Sequence, residues 1–195
     1  MSLIEEIMGL PEPQKDQRYT YKDYCTWDDD ERWELIDGVP YAMSPAPTPA
    51  HQRISGELYF QLASFLKGKL CQVFYSPFDV RLNAAGDDDY DVFQPDLLVV
   101  CDRAKIDDKG LNGAPDMAIE IISPYSARRD RVLKFNHYLQ AGVREYWIVD
   151  AEIKTVQTCI LKNGEYIVKA YTETDAIPVH VLDGCTINLS DVFAE

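Results

Sequence analysis

Val92-Phe-Gln-Pro-Asp-Leu-Leu-Val-Val-Cys101 and, after a turn-rich interval, Met117-Ala-Ile-Glu-Ile-Ile122 decide how this chain is built. Both runs are apolar, bounded by turn residues and too short for a typical helix, so they read as central strands buried on both faces. Pro95 removes a ladder donor, so the first strand bulges or begins beside it. Each run also carries one acid, Asp96 and Glu120. An isolated ionised carboxylate in such a place costs several kcal/mol, so each must be paired, neutralised or bound to a cation.

Working outward, Thr20 is placed to cap a short helix that an acidic turn at Asp28, Asp29 and Asp30 closes. Two short strands follow around Asp37-Gly38, a two-residue hairpin signal. Ile54, Leu58, Leu62 and Phe65 form the stripe of an amphipathic helix that runs to about Gly68. Val73 to Leu82 alternates as one half-buried strand, with Phe78, Val80 and Leu82 inward and Asp79 and Arg81 outward. Asp87 to Asp91 reads as a solvated loop. Downstream, a helix covers about Ala127 to Gln140, with Val132, Phe135 and Leu139 toward the core and Asp130, Lys134 and Tyr138 along a separate face. Gly142 stops it. Glu145 to Asp150 is a further buried strand, and Lys154 to Tyr171 a hairpin around Asn163-Gly164. One or two short strands and a helical turn finish the chain. The expected architecture is α/β (α+β): a mixed central sheet flanked by helices, with additional N-terminal and C-terminal β-hairpins. Residues 1–18 read as an irregular lead-in and 19–195 as a single domain.

The 195 residues, 46% of them hydrophobic, suit one domain with a full core. No apolar run approaches the roughly 20 residues of a membrane-spanning helix, and the first residues carry acids where a secretion signal carries bases. The expectation is a soluble, cytoplasmic protein with no membrane partner. Five dispersed cysteines without a C-x-x-C pair read as free core thiols, and three scattered histidines give no zinc spacing. Gly110 to Gly113 lacks the ending of a phosphate loop. The net charge of −14 argues against the broad basic surface of most duplex-binding proteins, leaving room only for a local basic strip or bound cations.

Sequential strands are usually neighbours, which lets Asp96 and Glu120 converge at one end of the sheet. Facing carboxylates repel unless a cation lies between them, and oxygen ligands without nearby His or Cys suit Mg²⁺ or Mn²⁺. The competing arrangement is structural: Asp96 caps a loop, and Glu120 pairs with Arg128 or Arg144.

With Pro95-Asp96, an acid on the next buried strand and a helix soon after, the chain resembles the PD-(D/E)XK nuclease superfamily, the restriction-endonuclease-like fold. More closely, the blocks ERWELIDGVPYAMSPAP from Glu31, HQRISGEL from His51, QPDLLVV from Gln94, GAPDMAIEIISP from Gly113 and AGVREYWIVD from Ala141 are similar to the Uma family of endonucleases. The resemblance implies a metal site made by Asp96, Glu120 and the backbone carbonyl of Ile121, with a lysine that orients or activates the attacking water. The lysine expected two residues after Glu120 is Ile122, so the E-x-K signature is broken; the resemblance offers Lys134 on the following helix as its replacement, whereas spacing alone reads Lys134 as a surface pair with Asp130. The same resemblance offers Glu34 as a further metal ligand, since some superfamily members add an acid from an early element, and Asp79 points either to the site or to solvent. His51 and Gln52 begin the first long helix, where a helix N-terminus could meet a phosphate or simply be capped.

The functional expectation is a Mg²⁺- or Mn²⁺-dependent endonuclease that cuts phosphodiester bonds in DNA, with a homodimer as its assembly. The rivals are a non-catalytic nuclease-fold module that binds protein or nucleic acid, and a hydrolase of smaller phosphoesters.

Overall fold

The computed structural model describes residues 17–28, 31–43, 46–122 and 129–194, with the backbone alone at 129–131. The N-terminal lead-in falls almost entirely outside them. A four-residue helix α1 (Tyr21–Tyr24) opens the described chain, capped by Thr20 as its sequence requires. Strands β1 (Trp33–Ile36) and β2 (Val39–Ala42) form the first hairpin. Its turn residues Asp37 and Gly38 both have positive φ, at 52° and 73°. Helix α2 (Pro49–Leu66) follows, and then β3 (Gln72–Tyr75), β4 (Val80–Arg81), β5 (Val92–Phe93) and β6 (Leu97–Val100). Next come β7 (Ile106–Asp107), β8 (Gly110–Asn112) and β9 (Met117–Ile122). A π-helical segment, Arg129–Lys134, runs directly into α3 (Phe135–Gln140). The C-terminal part holds β10 (Glu145–Asp150), β11 (Thr155–Lys162), β12 (Glu165–Thr172), β13 (Ala176–Pro178), β14 (Thr186–Asn188) and α4 (Leu189–Val192).

The strands form two six-stranded mixed sheets and a small hairpin, a mixed α/β architecture with few helices. Sheet A has the order β2-β1-β5-β4-β8-β7, sheet B the order β12-β11-β10-β9-β6-β3, and β13 pairs with β14. The first hairpin is therefore no appendage, because β1 also pairs with β5 and belongs to a sheet of its own.

Strand alternation in sheet B divides the core. Leu97, Val99, Met117, Ile119, Ile121, Trp147 and Val149 point toward Ile54, Leu58, Leu62 and Leu66 of α2 and toward the C-terminal Ile187, Leu189 and Val192. Leu98, Val100, Ala118, Tyr146 and Ile148 point the other way, into a second cluster with Tyr138 of α3 and with Ile36, Val80, Leu82, Phe93 and Leu111 of sheet A. The two sheets thus share the second cluster, and the segment leading into α3 enters between them. The parallel pairing of β9 with β10 across that segment makes a βαβ crossover.

Several local expectations are corrected. Val73 to Leu82 is two strands in different sheets, with a cis Ser76-Pro77 bond between them. The Val92–Cys101 run likewise divides at Gln94-Pro95-Asp96, so that β5 serves sheet A and β6 sheet B. Arg81 is buried, not outward, and its guanidinium meets Asp107 at 2.6 Å. The Asp87–Asp91 loop is only partly solvated: Asp89 and Asp91 are buried and accept from Asn83 at 2.8–3.0 Å. The buried face of the helix expected over 127–140 differs in part: Val132 is exposed and Lys134 and Tyr138 are buried, while Phe135 packs against the second cluster as expected. Cys71 and Cys101 are not free thiols but a disulfide between residues that continue the β3–β6 register. Cys159 and Cys185 are free and buried as expected, while Cys25 is free but exposed.

Candidate active site

β1 brings Glu34 to the shared cluster from sheet A, on the same face as Ile36, and β9 brings Glu120 to it from sheet B. Both carboxylates lie in the interior, Glu34 at 0% and Glu120 at 4% exposure. The ammonium of Lys134 lies between them, 2.8 Å from Glu34 Oε1 and 2.8 Å from Glu120 Oε1, on a side chain that is 2% exposed. One buried cation therefore bridges acids from two sheets. Neutral donors complete the arrangement: the Gln94 amide N–H donates to Glu34 Oε1 at 2.9 Å, and the Tyr138 hydroxyl to Glu120 Oε1 at 3.0 Å. Burial, reinforced by the charge on Glu120, pushes the Tyr138 phenol well above its ordinary range, so it stays a proton donor.

Asp96 stands immediately before β6. The β6–β9 register pairs Leu97 with Ile119 and Leu98 with Ala118, and one further step sets Asp96 opposite Glu120. Its Oδ2 accepts from the Ile121 amide at 2.7 Å, and its Oδ1 meets His51 Nε2 at 3.2 Å. His51 belongs to the first turn of α2, where Thr48 accepts from the His51 amide. Burial opposes a charge on its imidazole, but the Asp96 carboxylate, with the Ile121 backbone, outweighs that and raises its pKa. Asp96 thus has His51 as its own partner, beside the Glu34–Lys134–Glu120 bridge.

Of the residues singled out in the sequence, Glu34, Glu120 and Lys134 are in direct contact, and Asp96 and Ile121 adjoin them through the β6–β9 pairing. The expected convergence of the two central strands holds at the level of register. Asp96 and Glu120 nonetheless engage different side chains. The structural alternative for Glu120 is also resolved in part, since Arg144 is taken by Asp116. Arg128 lies outside the described residues, as does the side chain of Asp130. Asp79 is elsewhere, half-buried, where Tyr21, Tyr24 and Gln94 donate to it. Burial raises its pKa despite these donors. It serves a polar network under α1 rather than the Lys134 bridge.

A second constellation carries no local sequence signal, because its members come from a turn, a strand edge and a helix. His137 Nδ1 lies 3.3 Å from Asp91 Oδ2, and its Nε2 lies 3.5 Å from Asp37 Oδ2. Among the described residues, Asp37, Asp91 and His137 are the set whose ligand-type atoms all fall within 4.8 Å of one another. Both imidazole nitrogens face carboxylates, and the hydrogen bond to Asp91 raises the His137 pKa. That is the arrangement of an imidazolium tying α3 to sheet A.

The sequence profile of the Uma2 family, described as putative restriction endonuclease, matches residues 19–190. The chain belongs to the Uma2 family. An uncharacterized protein from Synechocystis sp., slr1290, is 24% identical over 160 residues, which is 80% of this chain and 82% of that protein. Among solved structures, a crystal structure described as a putative nuclease belonging to DUF820 from Anabaena variabilis superposes with a TM-score of 0.71 at 20% identity. The match covers 90% of this chain and 97% of that one. At that identity the likeness is one of fold, and it agrees with the nuclease-like mixed sheets described above. Within the Uma2 match fall all the acids of the bridge, Lys134, His51 and Asp96. No described helix is long and apolar enough to cross a membrane.

Proposed function

We propose that this Uma2 protein is a divalent-metal-dependent endonuclease that hydrolyses phosphodiester bonds in DNA. The observation that carries the reading is the Lys134 ammonium, buried between Glu34 and Glu120 beside a third acid, Asp96. A lysine beside the acids Asp96 and Glu120 is what the resemblance to the PD-(D/E)XK nucleases implies, with Lys134 standing in for the lysine of E-x-K and Glu34 as an added acid.

By its chemistry the donor set suits a hard cation, although the described acids and histidine whose ligand-type atoms lie within 4.8 Å of one another are Asp37, Asp91 and His137. Asp96, Glu120, the Ile121 carbonyl and Glu34 supply only oxygens, which favours Mg²⁺ or Mn²⁺. The chemistry such a cation supplies there is activation of a water and neutralisation of charge on the scissile phosphate. The chain's own residues do the rest. Tyr138 donates to one oxygen of Glu120 and the Ile121 amide to one oxygen of Asp96, which fixes how the two carboxylates are turned. His51 Nε2 meets the other oxygen of Asp96 at 3.2 Å and orients it. Lys134 would orient the attacking water or stabilise the charge that builds on the phosphate.

A second reading, a non-catalytic nuclease-fold module, is favoured by one feature: Glu120 already has a protein cation as its partner, and the net charge of −14 opposes a nucleic-acid surface. The discriminating experiment is a Mg²⁺ and Mn²⁺ titration with supercoiled plasmid and single-stranded DNA, run beside Asp96→Ala and Glu120→Ala, with calorimetry of metal binding on the same proteins. Metal-dependent nicking lost in both variants supports the endonuclease. Activity unchanged by both removes the proposed site, and folded protein that binds no metal and cuts neither substrate supports the module.

A further inference from the structure

Sheet B ends at β12, eight residues long and paired on one side with β11 along its whole length. Among the described residues no strand pairs with its other side. Alternation between a wet and a dry face is lost there: Ile167 and Val168, consecutive and so on opposite faces, are 55% and 52% exposed. An edge of this length with apolar side chains on both faces is a template for another strand.

We propose that β12 joins two copies of this chain, antiparallel, about a two-fold axis through Ile167. Symmetry restricts the registers. In an antiparallel pair, directly opposed residues alternate between hydrogen-bonded and non-hydrogen-bonded pairs. A two-fold axis perpendicular to the sheet must map each pair onto one of the same kind, so one residue has to face its own copy. Among such registers the one centred on Ile167 sets Glu165 opposite Lys169 twice and Tyr166 opposite Val168 twice, with Ile167 against Ile167. Opposite charges and aromatic with β-branched partners are the favourable cross-strand pairs. Centring on Val168 instead sets Ile167 against Lys169, and centring on Lys169 opposes two ammonium groups. Charge complementarity therefore selects both the occupant, a second copy, and the register. The contact is isologous, as closed dimers require.

The test uses the full chain with the exposed Cys25 changed to serine. Sedimentation equilibrium is expected to give twice the 22.3 kDa chain mass at micromolar concentrations. Opposed residues in antiparallel strands have Cα atoms about 4.5–5.5 Å apart, within disulfide reach. Ile167→Cys is therefore expected to form a covalent dimer under mild oxidation at least about tenfold faster than Val168→Cys, which faces Tyr166. Lys169→Glu should weaken dimerisation about tenfold by opposing Glu165, and Glu165→Lys with Lys169→Glu should restore it. Circular dichroism confirms that each variant is folded, as expected for exposed positions. A monomer at every concentration, faster cross-linking at 168 than at 167, or no restoration by the double charge exchange would each overturn the proposal.

Discussion

Lys134→Met tests the bridge most directly. The substitution keeps length and apolar stem but removes an ammonium that is 2.8 Å from each of two buried carboxylates. Breaking a buried ion pair by deleting one partner costs about 3–5 kcal/mol, because a charge is left without compensation. The same figure follows from the proton the acids would then take up. With an unfolded-state glutamate pKa of about 4.3, binding one proton in the folded state at pH 7 costs about 3.7 kcal/mol, at 1.36 kcal/mol per unit. The sign follows from linkage: a folded-state glutamate pKa raised above the unfolded value leaves stability intact below about pH 4.3 and removes it as pH rises. The loss should therefore be about 1 kcal/mol at pH 5 and grow by about 1.4 kcal/mol per unit toward pH 7. Urea unfolding of wild type and Lys134→Met at pH 5, 6 and 7 measures it. Adding Glu34→Gln to Lys134→Met should recover stability at pH 7, since one of the stranded charges is then gone. A loss below about 1 kcal/mol at pH 7 with no slope would refute the idea that Lys134 is the counter-ion of these acids.

Tyr138→Phe removes a buried donor to Glu120 and should cost about 1.5–3 kcal/mol by denaturant titration, the range for a hydrogen bond to a charged group. His137→Gln should flatten part of the pH dependence. The raised His137 pKa stabilises the fold below its unfolded value near 6.5 and is lost as pH rises, while the lowered Asp91 pKa stabilises above about 3.8. Thermal melts should then show the largest wild-type advantage between about pH 4 and 6.5, and an advantage greater at pH 8.5 than at 5.5 would contradict the pairing. The Cys71–Cys101 bond closes a loop with a sequence separation of 30. Replacing both cysteines by serine should lower stability in non-reducing buffer by about 3–4 kcal/mol on loop-closure entropy, and dithiothreitol should reproduce the loss in wild type but not in the variant.

Much of the site was legible because strand physics is local. Asp96 and Glu120 announce themselves as acids in runs too apolar to host them, and the antiparallel register places them opposite one another as neighbouring strands should. The hairpin turns at Asp37-Gly38 and Asn163-Gly164 were equally legible, since their positive φ angles follow from residue type. Lys134 was found as a residue but not as an environment. The spacing of Val132, Phe135 and Leu139 describes a 3.6-residue period, whereas the backbone from 129 to 134 is π-helical. The wider turn shifts the phase of the helix, so the face that reads as surface is the one that enters the core.

Sequence alone thus determined the longer strands such as β9, β10 and the β11–β12 hairpin, where the hairpins turn and which two acids need a partner, because each depends on residue type and short-range period. Tertiary structure alone decided that β5 and β6 part into different sheets at Pro95, that Glu34 of one sheet meets Glu120 of the other across Lys134, and that Cys71 meets Cys101. Each of these depends on contacts between residues distant in the chain. A buried charge demands a partner wherever it sits, but which partner it gets is settled only when two sheets close on the same helix.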